Sequence, residues 1–74
     1  MATATIIQRE RFNGRRIYHR RMELGLSLAQ VAARIHRNVA SIHGWEAGHH
    51  RPTPRSLWLL SQALQVTPAY FFTP

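Results

Sequence analysis

The stretch VAARIHRNVASIHGWEAG, residues 31–48, sets two apolar-faced segments end to end with only His36, Arg37 and Asn38 between them. Leu28, Val31, Ala32 and Ile35 recur at the spacing of one helical face, and Ile42 and Trp45 do so in the second segment. So short a connection cannot lay two helices side by side as a hairpin of long rods. It must cross them, and a second helix held crosswise protrudes from the body of the domain, where it can enter a partner's surface.

The remaining punctuation is also helical. Asn13-Gly14 precedes RRIYHRRMEL, which stops at Gly25, a residue suited to a left-handed C-terminal cap. Ser27 opens S-L-A-Q, a capping box in which hydroxyl and glutamine satisfy each other's backbone amides. Asn38 caps the next segment and Gly48 ends it. Thr53-Pro54 is a cap followed by proline at the first helical position, where its missing amide is harmless. Leu57, Leu60 and Leu64 form a stripe with Ala63 beside it, and Thr67-Pro68 repeats the device before AYFF. This pattern predicts an all-α fold of five helices with connections of a few residues, spanning 13–74. Residues 1–12 read as an N-terminal arm. Its TATII is β-prone, so either a short strand, able to pair with a second copy, or a frayed terminus is expected.

Seventy-four residues allow one domain with a modest core. The absence of cysteine removes disulfides, as in a reducing compartment. No run approaches the roughly 18–20 apolar residues of a membrane span, and MATATIIQRER lacks the pattern of a secretory signal. A soluble cytoplasmic protein with no membrane partner is expected. Ten basic residues, all arginine, face three glutamates, for a net charge of +7. Such a balance attracts polyanions, nucleic acid first among them. An enzyme is not expected, because the chain has no cysteine and no aspartate, and Glu10, Glu23 and Glu46 are scattered. The five histidines match no closed metal site and have no cysteine or nearby carboxylate to complete one, so neither metal nor cofactor is expected.

From Arg21 to Pro52 the chain resembles the Cro/CI-type (XRE-like) helix-turn-helix family of phage repressors and bacterial regulators. The matching residues are RMELGLS (21–27), QVAARI (30–35), Asn38 after the turn, SI (41–42), WEAG (45–48) and Pro52. The likeness continues through LLSQALQVTPAYFF and covers most of the chain from about residue 15. It implies a lambda-repressor-like domain whose recognition helix, about 38–47, enters the major groove of double-stranded DNA. It further implies a dimeric repressor and an ion pair between Arg21 and Glu46. Base reading would fall chiefly to Val39, Ala40 and Gly44, helped by Ser41 and His43. These positions depart from the family in carrying no amide or guanidinium for bidentate recognition of adenine or guanine. Val39 and Ala40 suit thymine methyl groups, and Ser41 and His43 offer one hydrogen bond each. Leu28 replaces a glutamine common in relatives. His36 replaces a glycine common in the turn, where a left-handed conformation costs about 1–2 kcal/mol.

Phosphate contacts are expected from Arg37, from Asn38 with the first amides of its helix, and from His49, His50 and Arg51 in the following loop. Arg15, Arg16 and the arm residues Arg9 and Arg11 would add to them. With Phe71 assigned to the core, Trp58, Leu59, Tyr70 and Phe72 remain as an apolar patch for a homodimer or a protein partner. The weak base-reading set leaves a second reading open: the same fold as a protein-interaction adaptor, antirepressor or antitoxin-like partner.

Overall fold

A computed structural model describes residues 11–72, and among them it contains four α-helices and a closing 3-10 helix. These are α1 (Arg15–Glu23), α2 (Leu28–Ile35), α3 (Val39–Ala47), α4 (Pro54–Leu64) and the 3-10 helix Pro68–Phe72. The last expected helix is thus 3-10 rather than α. A segment this short closes with tighter bonds, as where the Tyr70 amide donates to the Thr67 carbonyl at 3.0 Å. No strand occurs among the described residues, and the strand considered for the arm falls on residues 1–10, outside them.

The helix ends follow local chemistry. Ser27 Oγ accepts from the Gln30 amide at 3.1 Å while Gln30 Oε1 accepts from the Ser27 amide at 2.8 Å. Asn38 Oδ1 accepts from the Ser41 amide at 2.8 Å, and Thr53 Oγ1 from the Ser56 amide at 3.1 Å. Gly14 serves a different purpose. A Cβ built there would lie 1.8 Å from the Trp45 carbonyl oxygen, so a glycine is what lets the start of α1 rest on the end of α3.

The core draws on every helix: Ile17 from α1, Val31, Ala32 and Ile35 from α2, Ile42 and Trp45 from α3, Leu60 and Leu64 from α4, and Phe71. Ala32 is buried where α2 packs on α3, and its small side chain permits that close crossing. The corner between them turns at His36, with φ 58° and ψ 42°. A side chain in this left-handed region costs about 1–2 kcal/mol. Gln65, at φ 59°, makes a second such corner after α4 that the sequence did not signal. Among the described residues no helix is long and apolar enough to cross a membrane.

Candidate nucleic-acid interface

The crossing leaves α3 anchored on one side and open on the other. Ile42 and Trp45 bury its inner face. Glu46 fixes its last turn: Arg21 Nε donates to Oε2 at 2.8 Å and Nη2 to Oε1 at 3.1 Å. Arg21 Nη1 also donates to the Leu26 carbonyl at 3.0 Å, so the guanidinium ties α1 to α3 and to the loop before α2. Both side chains are about nine-tenths buried. The hydrogen-bonded Glu46 carboxylate raises the Arg21 pKa above its ordinary value; burial opposes this, and the charge of Glu46 and the nearby Tyr18 reinforce it. Arg21 and Glu46 therefore hold α3 in place.

On the outer face Val39, Ala40, His43 and Ala47 are exposed and Ser41 is half-buried. Gly44 departs from the expectation of an open base-reading position, because it is buried. The cover is His50. A Cβ on Gly44 would lie 2.2 Å from His50 Cε1 and 3.0 Å from both ring nitrogens. The imidazole also meets the Trp45 ring edge-on, with centroids 6.4 Å apart. The loop is drawn back onto the helix by a backbone bond from the His49 amide to the Gly44 carbonyl, 2.9 Å.

Cationic groups stand at both ends of α3. Arg37, in the turn before it, is exposed, with its guanidinium carbon 5.5 Å from the Trp45 ring centroid. Asn38 uses Oδ1 for the cap, which leaves its amide nitrogen and the first amides of the helix for an anion. His49 and Arg51 are exposed after the helix. Arg15 is exposed in the first turn of α1, which the Gly14 contact sets beside the last turn of α3. Arg11 is exposed as well, and Arg9 lies outside the described residues.

Two other expectations need correction. Arg16 is not on this open face: its Nε donates to the Tyr70 carbonyl at 3.1 Å and its guanidinium stacks 4.3 Å from the Tyr70 ring centroid. It clamps the 3-10 helix to α1 and is half-buried in doing so. The four-residue apolar patch also does not form. Trp58 is 53% exposed, but Leu59, Tyr70 and Phe72 are half-buried against the core. The reason is that the 3-10 helix packs against both α1 and α4, and Phe12 covers Phe72 edge-on at 6.0 Å. Among the described residues no cluster of three His, Cys, Asp or Glu side chains is placed to hold a metal ion.

The Gly44–His50 contact escaped sequence reasoning. The one available signal was the glycine itself, since a glycine inside a helical pattern often marks a close approach. Nothing in the sequence indicated what approaches it.

A helix-turn-helix family model matches residues 17–71 of the chain. Among solved structures, the P22 c2 repressor in complex with a synthetic operator is 31% identical, with a TM-score of 0.79, covering 84% of this chain and 94% of that one. The solution structure of the DNA-binding domain of the P22 c2 repressor is 30% identical, with a TM-score of 0.80, covering 86% of this chain and 84% of that one. A search of curated proteins found no match.

Proposed function

We propose, because this chain belongs to the Cro/CI-type helix-turn-helix family, that it is a sequence-selective regulator of transcription that binds double-stranded DNA, acting as a dimeric repressor with α3 in the major groove. The observation that carries this reading is the exposed outer row of α3, with the exposed cations Arg37 and Arg51 at its two ends. A helix framed in this way matches a groove framed by phosphates. Val39 and Ala40 pack on thymine methyl groups, and Ser41 and His43 hydrogen-bond base edges. Arg37, Asn38, His49, Arg51 and Arg15 take phosphates, which position the helix without reading sequence. The similar P22 c2 repressor is seen with its operator, which supports the same partner here. A twofold dimer presents two copies of α3 one turn of DNA apart. Trp58 is the large exposed apolar side chain on α4 available to such a contact.

Selection from a randomised duplex library tests the proposal. A two-part symmetric site should be enriched. If about five phosphates are neutralised, log affinity should fall against log salt with a slope on the order of −4 to −5. No enrichment together with a flat salt response defeats it. The exposure of Trp58 favours one rival, a protein-interaction adaptor on the same fold. That rival wins if Trp58→Ala abolishes activity while Ser41→Ala and His43→Ala leave duplex selection unchanged.

A further inference from the structure

We infer that His50 is a specificity-determining residue, which reads a base edge from beside Gly44 on the outer face of α3 in place of the side chain that Gly44 lacks. The inference rests on the DNA-binding reading above and deepens it. At 3.6 residues per turn, positions 40, 43, 44 and 47 lie on the side of α3 turned away from Ile42 and Trp45. Ala40, His43 and Ala47 are exposed there, while Gly44 is buried, and what buries it is the His50 ring.

The three distances define how the ring stands. Cε1 is nearest to the Cβ position of residue 44, and the two nitrogens lie equally far behind it. The imidazole is therefore planted on the glycine by its Cε1 edge, with a nitrogen on either side. Neither nitrogen has a hydrogen-bond partner among the described residues. The residue itself is exposed at the helix surface. Trp45 and the bond from His49 to the Gly44 carbonyl hold the ring before any ligand arrives.

Position separates this role from phosphate binding. Arg37 and Arg51 flank the helix, where the walls of a groove would lie. His50 stands over its central turn, where the floor of the groove presents base edges. An imidazole N–H there fits a single acceptor, and purine N7 is the one that the major groove offers at both adenine and guanine.

The test is duplex-library selection by the full chain, its His50→Ala and Gly44→Ala variants and the double variant, each first checked for an unchanged thermal midpoint. Wild type should show a purine preference of about tenfold at one position of each half-site. His50→Ala should lose that preference and keep the others. Gly44→Ala should lose the same preference, because the added methyl displaces the ring, and the double variant should be no worse than His50→Ala alone. A His50→Ala variant that weakens all duplexes equally and lowers the salt slope by about one marks a phosphate contact and overturns the inference. Unchanged selection overturns it too. A wild-type chain that selects no duplex overturns the DNA-binding reading itself, and this inference with it.

Discussion

Arg16, Arg20 and Arg21 on α1 each donate to a fixed acceptor, the carbonyls of Tyr70 and Leu64 and the carboxylate of Glu46. The guanidinium groups of Arg37 and Arg51, at the two ends of α3, donate to no protein acceptor among the described residues. One residue type thus does two jobs on two sides of the domain. On the first side the guanidinium satisfies carbonyls at helix ends, which lack partners within their own helices and carry the negative end of the helix dipole. On the second it is exposed and available to a polyanion. The net charge of +7 already sets Arg21 against Glu46 and Arg20 against Glu23, so of these three arginines Arg16 alone is an uncancelled charge committed to the fold.

The largest effect should come from breaking the first side. Glu46→Ala leaves Arg21 buried without its counterion and should lower stability by about 3 kcal/mol in denaturant unfolding. Replacing both partners with apolar residues, Arg21→Met with Glu46→Leu, should recover most of the loss. The folded-state pKa of Arg21 is raised above its unfolded value, so its contribution is fully present below the ordinary arginine range and is lost only as pH rises through it. The deficit of Arg21→Met should therefore stay constant from neutral to mildly alkaline pH.

Gly14→Ala should follow, at about 2 kcal/mol, because the new methyl must push the Trp45 carbonyl away and separate α1 from α3. Arg20→Ala should lose about 1.5 kcal/mol with its bond to the Leu64 carbonyl, while the salt slope of DNA binding stays unchanged. His36→Gly and Gln65→Gly should each raise stability by about 0.5–1 kcal/mol, since both relieve a left-handed corner and the gain is trimmed by glycine's freedom when unfolded. Equal gains would show that corner strain is shared by the two sides rather than reserved for the recognition turn. The smallest change in stability, within about 0.5 kcal/mol, belongs to Arg51→Ala. This variant should weaken binding to all duplexes alike and lower the salt slope by about one. If Arg20→Ala and Arg51→Ala exchanged these phenotypes, the division between tied and open arginines would be wrong.

Much of the candidate interface was legible in the sequence, but unevenly. Asn38 as the cap of α3, the inward pair Ile42 and Trp45, and the exposed Val39, Ala40 and His43 follow from a cap and a period. The link between Arg21 and Glu46 was accessible only through likeness to a family, because no local rule joins residues 25 positions apart. Gly44 was misjudged because helical geometry gives the direction of a position and not what covers it. Arg16 was misjudged for a related reason: a charge read from sequence has no direction, and its acceptor lies 54 positions away.

By itself, the sequence determined where each described α-helix begins, which face of it is apolar, and that α2 and α3 must cross. Caps, left-handed glycines and periodicity act within a turn or two of the chain, so their outcome is set before distant segments meet. Only the tertiary structure decided which arginines became internal ties and which stayed open, that Gly14 had to be small, and that an imidazole from a loop would cover Gly44. Each of these depends on two groups from different elements arriving at the same place, and that proximity exists only once the helices have packed.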